Sequence, residues 1–249
     1  MGKEERILAG KVAVVTGAGR GIGRAIAVGF GRAGSAVCCA ARTTPEIEAA
    51  ADEMRRSGAQ AASKQADVTD YDSMEALFAF AAERFGGVDI VVVNAGIGDE
   101  QIGVAESDPE RWAETIGVNL IGAYHTARAS VPYLRARGGG NVIVMGSGAG
   151  RRGRPERSAY DCSKAGLWMF VRILAQEVYR DGINVNELIP GPVRTSGFPV
   201  DPEAVRRSFG EGEWLKRPED VVPLALYLAR QLRLGPTGQS FSLLRRDVY

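Results

Sequence analysis

Short runs of β-branched and apolar residues alternate with stretches of helical periodicity along the whole chain. VAVVT (12–16) reads as a buried strand, followed by a glycine-rich turn and a helix over about 22–33. AVCCAA (36–41) is a second strand and about 45–57 a second helix. A weaker strand at 60–66 leads to Asp67, after which Thr69 and Asp72 form a capping box for a helix ending at Phe85. DIVVVN (89–94) is a strand, Pro109 opens a helix running to about Arg135, and NVIVMG (141–146) is the next strand. An amphipathic helix over 158–181, the strand INVNELI (183–189), an irregular segment to about Lys216, a helix over 218–229 and a last strand near 239–243 complete the series. Continuous apolar strands alternating with helices predict a parallel sheet covered on both faces. The expectation is one α/β domain over 1–249, doubly wound around a mostly parallel, seven-stranded sheet.

Composition narrows the function classes. The 249 residues, 45% hydrophobic and 24% charged, suffice for one large core. A net charge of +1 gives no general attraction to nucleic acid or an anionic membrane, so neither is expected as a partner. The start has no apolar core of signal-peptide length and no later run approaches the ~20 apolar residues of a membrane span, which predicts a cytoplasmic protein. Cys38 and Cys39 are neighbours facing opposite sides of a strand and Cys162 is distant, which is neither a disulfide framework nor metal-ligand spacing. No metal is expected. His125, the only histidine, has no ligand partner in the sequence and reads as a packing or interface residue.

Chemistry concentrates at the start of the 158–181 helix, where Tyr160 and Lys164 stand one turn apart on one face. A phenol of ordinary pKa is a poor acid or base at neutral pH and needs a neighbour that favours the phenolate. A cation about 4 Å away at an effective dielectric of about 20 supplies roughly 4 kcal/mol, about three pKa units. On that reasoning Lys164 brings the phenol near 7. Cys162, two residues along the helix, falls on another face and reads as an inert packing thiol. The first crossover, TGAGRGIG (16–23), has glycines at 17, 21 and 23 between a strand and a helix, the context in which backbone N–H groups meet a pyrophosphate.

Six motifs in order resemble the short-chain dehydrogenase/reductase family over nearly the whole chain. They are TGAGRGIG, the pair Asp67-Val68, Asn94-Ala95-Gly96, Asn119, Ser147 thirteen residues before Tyr160 in YDCSK, and PGPVRT (190–195). The resemblance implies a Rossmann-like fold with a nicotinamide cofactor across the carboxyl ends of the strands and substrate above it, under a lid at about 193–216. It implies cofactor contacts from Gly17, Arg20, Gly21, Ile22, Gly23, Arg42, Thr43, Asp67, Val68, Asn94, Ala95 and Gly96. Pro190, Gly191, Val193 and Thr195 would clasp the nicotinamide. Tyr160 would be the proton donor, Ser147 would hold the carbonyl oxygen, Lys164 would bind the ribose and lower the phenol's pKa, and Asn119 would hold a water that relays protons to Lys164. Three departures stand out: Val93 where a second Asn is common, Gly146 where a Ser often precedes Ser147, and a C-terminal TGQSFSLLRRDVY without Asp-Gly-Gly.

At the end of the second strand, Ala40-Ala41-Arg42-Thr43 offers no carboxylate to repel a 2′-phosphate, and the first acid afterwards is Glu46. Arg42, Thr43 and Arg20 favour NADP(H), with NAD(H) as the alternative. The expected reaction is reversible reduction of a ketone, with a 3-oxoacyl thioester among the candidates. An acyl carrier protein stays among the candidate partners with weak support, because Asp181 stands where a basic carrier-docking residue is expected. The alternatives are a sugar, polyol or other small-alcohol dehydrogenase and, in another class, a non-catalytic nucleotide-sensing regulator, which normally shows a broken Ser/Tyr/Lys set. The resemblance, with two long helices bearing surplus apolar residues, implies a homotetramer or dimer. The run Arg151, Arg152, Arg154, Arg157 reads first as a solvated loop and, as the alternative, as a site for phosphate on a substrate carrier, and Trp112, Trp168 and Trp214 read as core, interface and lid residues.

Overall fold

In the computed structural model, residues 6–98, 101–195, 205 and 213–244 are described. The strands are β1 (Val12–Thr16), β2 (Ala36–Ala41), β3 (Ala61–Gln65), β4 (Ile90–Val93), β5 (Gly140–Met145), β6 (Ile183–Ile189) and β7 (Ser240–Ser242). Between them run α1 (Gly21–Arg32), α2 (Thr44–Arg56), α3 (Tyr71–Phe85), α4 (Pro109–Ile116), α5 (Gly122–Ala136), α6 (Ser158–Val178) and α7 (Val222–Ala229). The sheet order is β3-β2-β1-β4-β5-β6-β7 and every pairing is parallel.

The continuous apolar strands are explained by this arrangement, because alternate residues of a central strand face two different cores. Ala13, Val15, Cys39, Ile90, Val92 and Ile143 meet α1, α2 and α7 on one side. Val14, Cys38, Val91, Val93, Val142 and Val144 meet α3, α5 and α6 on the other. The two strand cysteines thus enter separate cores, and burial pushes both thiols up to about 12. The chain order reverses between β1 and β4, so the loops at their carboxyl ends part and leave a crevice.

Several expectations are corrected. Thr69 does not cap α3: Asp70 does, accepting from the Asp72 N–H at 3.0 Å, while Thr69 turns back onto Asp67. The expected single helix over 109–135 is interrupted by a π turn, Gly117–Ile121, between α4 and α5. Such turns often mark functional sites, and this one contains Asn119. Trp112 is 37% exposed rather than core, with its Nε1–H donated to the Ser158 hydroxyl at 3.1 Å. Cys162 is exposed rather than packed, because the inward face of α6 is carried by Asp161, Ser163 and Lys164. His125 does pack, its Nδ1 3.0 Å from the Val68 carbonyl and its ring edge-on to Tyr71. The lid expected at 193–216 lies largely outside the described residues. Its two ends meet where Val193 pairs with Lys216.

Candidate active site

A cleft of about 1080 Å³ runs along the carboxyl ends of the strands. It is lined by all the sequence-predicted site residues except Asn119. At one end is the glycine turn. Gly17 has φ +65°, and a Cβ there would lie 2.8 Å from Asn94 Nδ2, so only glycine fits. A Cβ on Gly23 would overlap the Gly17 carbonyl. Asn94 fastens this turn to the neighbouring strand: its Nδ2 donates to the Thr16 carbonyl at 2.9 Å and to the Gly17 carbonyl at 3.3 Å. The Thr16 hydroxyl in turn accepts from the Asn94 and Ala95 N–H groups. Thr195 closes over Gly21, where a Cβ would sit 3.2 Å from its Cγ2.

Asp67 lies at the side of the cleft after β3. Burial acts to raise its pKa, but bonds from the Thr69 N–H (2.9 Å) and hydroxyl (2.8 Å), with the charge of Arg42, hold it below the usual carboxylate range. Arg20, Arg42 and Thr43 stand exposed at the rim. The chain alone gave no carboxylate here, and the fold corrects this. The first turn of α2 swings Glu46 against the glycine turn, where a Cβ on Gly19 would lie 2.8 Å from Glu46 Oε2.

At the other end, Ser147 leaves β5 and caps a short 3₁₀ turn by accepting from the Ala149 N–H at 3.1 Å. Its hydroxyl also bonds Tyr160. Lys164, 6% exposed, donates from Nζ to the Met145 carbonyl at 2.9 Å and lies 5.6 Å from the Tyr160 ring centre. The electrostatics differ from the expectation of a phenol near 7. Burial raises the Tyr160 pKa, outweighing the opposing effects of Ser147, Arg157 and Arg154. Burial also pulls Lys164 down to about 8, against the pull of Glu187. A cation spent on a backbone carbonyl and disfavoured by its surroundings does not lower the phenol as a fully charged neighbour would.

Asn119 is buried and its side chain is fully engaged. Its Oδ1 accepts from the Ile97 N–H at 2.8 Å, and its Nδ2 donates to the Ile97 carbonyl at 3.0 Å and to the Ser163 hydroxyl at 3.1 Å. It therefore braces the chain after Gly96 instead of facing the cleft. The arginine run is a solvated loop only in part: Arg152 is exposed at the cleft, whereas Arg154 and Arg157 are half-buried in its lining and Arg151 pairs with buried Glu187 at 3.2 Å. Only the Arg157–Asp161 spacing of four was a legible hint. The Arg154–Asp161 and Arg151–Glu187 pairs are brought together by tertiary structure. Leu244, from the atypical C-terminal segment, also lines the cleft and sits over Gly191. Residues 245–249 lie outside the described residues.

A nicotinamide dinucleotide fits these residues. The glycine turn is a cradle that a Cβ at Gly17 or Gly23 would fill, it opens a helix N-terminus suited to pyrophosphate, and Asp67 is a charged acceptor on the adenosine side. Among the described residues no group of His, Cys, Asp or Glu could hold a metal ion.

Comparison with known proteins agrees with this geometry. The family model described as short chain dehydrogenase matches residues 11–203. The chain is 36% identical over 202 residues to a 3-oxoacyl-[acyl-carrier-protein] reductase of Pseudomonas aeruginosa, covering 81% of each. It is 35% identical over 228 residues to a glycine betaine reductase of Emericella nidulans, but those residues are 90% of this chain and only 18% of that much longer protein. A crystal structure of a short-chain type dehydrogenase/reductase from Mycobacterium marinum superposes with a TM-score of 0.87 at 30% identity, covering 97% of this chain and 96% of the other. With one fold, one cleft and one family model in agreement, the chain belongs to the short-chain dehydrogenase/reductase family, oxidoreductases acting on CH–OH and carbonyl groups.

Proposed function

We propose that this protein reversibly reduces a ketone to a secondary alcohol with NADP(H), NAD(H) serving as a poorer cofactor. The observation that carries the reading is the bond between the Ser147 and Tyr160 hydroxyls, with the Lys164 ammonium one helix turn away in the cleft that holds the glycine turn. When bound, the reduced nicotinamide supplies the hydride. The chain's own residues handle the carbonyl oxygen and the proton. Ser147 donates a hydrogen bond to the oxygen as negative charge develops, and Tyr160 gives it the phenolic proton. The raised pKa of Tyr160 keeps that proton in place at neutral pH, so the phenol acts as an acid in reduction. In oxidation it must ionise, and an approaching positive charge helps. Lys164, able to leave the Met145 carbonyl, binds the nicotinamide ribose and brings its charge toward the phenol.

Gly17, Arg20, Gly21, Ile22 and Gly23 hold the pyrophosphate and Asp67 with Val68 the adenine. Arg42 and Thr43 meet the 2′-phosphate. Asn94, Ala95, Gly96, Pro190, Gly191, Val193 and Thr195 wall the nicotinamide half, and Asn119 supports that wall. We read the chain as one cofactor-binding and catalytic unit, with the segment 193–216 over the substrate. Exposed apolar residues, Trp112 on α4, Ile121 in the π turn, Tyr124 on α5 and Met169 and Ile173 on α6, support a homotetramer or dimer. Asp181, paired with Arg135 at 2.8 Å, supports a free small substrate over one docked on an acyl carrier protein. No described helix is long and apolar enough to cross a membrane, in keeping with a cytoplasmic place of work. The test is a panel of ketones and secondary alcohols with NADPH and NADH, read at the absorbance of reduced nicotinamide. Absence of turnover across ketones, sugars and polyols, with cofactor bound, would overturn the reading.

A further inference from the structure

Glu187 is a carboxylate in the middle of the apolar strand β6, buried and not part of the cleft lining. It stands directly behind the turn that carries Ser147. A Cβ on Gly146 would overlap Glu187 Oε1, so the backbone immediately before Ser147 lies flat on the carboxylate. At the far end of the 3₁₀ turn that Ser147 caps, Arg151 Nη2 donates to Glu187 Oε2 at 3.2 Å. In between, Gly150 rests on the Lys164 carbonyl, where a Cβ would come to 2.6 Å. Both ends of the turn are therefore held by one carboxylate, and its middle by α6. Glu187 also accepts from the Ser240 hydroxyl on β7, and that hydroxyl accepts from Arg172 Nη2 at 3.1 Å, which ties a further residue of α6 to the same point.

Among the described residues, the charged groups that face Glu187 are Arg151 from the turn and Lys164 and Arg172 from α6. The adjacent β5 residues, Val144 and Met145, are apolar, and β7 offers the Ser240 hydroxyl. Lys164 in turn faces Glu187 and the Tyr160 ring. We infer that Glu187 is a positioning residue for carbonyl reduction, clamping the turn that bears Ser147 and presenting a fixed negative charge to Lys164. This deepens the reductase reading and rests on it. The clamp and the charge have different consequences. The clamp sets where the Ser147 hydroxyl meets the carbonyl oxygen, and a small displacement weakens a bond that strengthens in the transition state, so its loss is read in kcat. The charge holds the Lys164 ammonium against the burial that pulls it down to about 8, so its loss is read in the pH at which cofactor capture fails.

The experiment measures kcat/KM for the reduced cofactor from about pH 6 to about pH 10, a quantity that reports the protonation of the free enzyme, together with kcat at neutral pH. The full wild-type chain is compared with Glu187→Gln and Arg151→Gln on a ketone that the wild type reduces. Glu187→Gln keeps the shape and removes the charge, so the alkaline limb should move down by about one pH unit, the order expected when one charge leaves a partly screened neighbour. Arg151→Gln frees the far end of the turn and leaves the carboxylate in place. Its kcat should fall about tenfold while the limb stays or moves up, and Arg151→Lys should recover part of the loss. A residue that only supports the strand would change stability without moving the limb. An unmoved limb in Glu187→Gln, or an undiminished kcat in Arg151→Gln, overturns the inference and leaves the reductase reading standing. Should Glu187→Gln lack a cooperative thermal transition, Arg151→Gln decides alone: a lowered kcat with a limb no lower than wild type supports the inference, and a normal kcat overturns it. A wild type that reduces no ketone overturns both readings.

Discussion

The carboxylate of Glu187 fills the space that a Cβ on Gly146 would take. Gly146 follows β5 immediately before Ser147, and Glu187 lies on the adjacent strand at 1% exposure, bonded to Arg151 and to the Ser240 hydroxyl. The departure at 146 is thus one half of a steric pair, and it ties the strand end bearing Ser147 to β7. Gly146→Ala is expected to cost about 1–3 kcal/mol by overpacking against Glu187, and clearly less when Glu187 is already Ala. Urea unfolding of the four chains of this double-mutant cycle measures the coupling. Strictly additive losses would show that the two residues do not compete for the same space.

Tyr160→Phe removes the proton and little volume. Turnover should fall by about 10²-fold or more while cofactor affinity is kept, as read by initial rates and fluorescence titration of the reduced nicotinamide. Lys164→Met should damage both quantities. Unchanged cofactor affinity in the lysine variant would remove the ribose assignment, and near-normal turnover in the phenylalanine variant would remove the proton donor.

Lys164 also predicts a pH dependence of stability. Its folded pKa, about 8, lies below its ordinary 10.5, so between those values the unfolded chain binds more protons and stability rises with pH. Below 8 the buried ammonium costs about 3 kcal/mol, and the cost fades as pH climbs from 8 to 10.5. Tyr160, whose pKa burial raises above the ordinary phenol value, is present in both chains of the comparison. Relative to Lys164→Met, the wild type should therefore gain about 2 kcal/mol between pH 7 and 9.5 in denaturant unfolding without cofactor. A difference independent of pH would mean that the ammonium is not disfavoured in the folded chain.

Asn119 is expected to act through stability. Asn119→Ala removes three hydrogen bonds and leaves the half-buried Ile97 N–H and carbonyl without their partner, a loss of about 1–3 kcal/mol. Thermal unfolding measures it. A variant as stable as wild type but inactive would favour a direct part in proton relay instead.

What was legible in the chain is what local pattern encodes. The apolar runs gave the five central strands because each is buried on two faces, whereas the edge strands β3 and β7 are only partly buried and left a weaker signal; the glycines of 16–23 carry the backbone's close approach in their identity. Partners at long separation were not legible. Nothing around Arg154 points to Asp161, and nothing around Gly146 points to Glu187, although a carboxylate inside the apolar run INVNELI was a signal that something buried must meet it. The π turn was also hidden, since its helical periodicity matches that of its flanks. The phenol near 7 failed for another reason: helix spacing gives the proximity of Lys164 and says nothing of burial or of the Met145 carbonyl that takes the ammonium.

Cofactor choice turns on a balance between Arg20, Arg42 and Glu46. The two arginines bring positive charge to the rim where a 2′-phosphate would lie, but both are exposed, so water and salt weaken their hold. Glu46, only partly exposed and set against Gly19, adds a nearby carboxylate that disfavours the phosphate. Two charge-assisted contacts against one repulsion are expected to put NADPH ahead, with a kcat/KM ratio over NADH above about 10, equivalent to roughly 1.4 kcal/mol. Glu46→Gln removes the repulsion and should raise the ratio several-fold, whereas Ala41→Asp/Arg42→Ile replaces a donor with an acceptor and should reverse it. Initial rates with both cofactors on one substrate decide the matter. If the wild type prefers NADH, or if Glu46→Gln lowers the ratio, the assignment of this rim to a 2′-phosphate is wrong and Glu46 is instead an acceptor for the ribose hydroxyls.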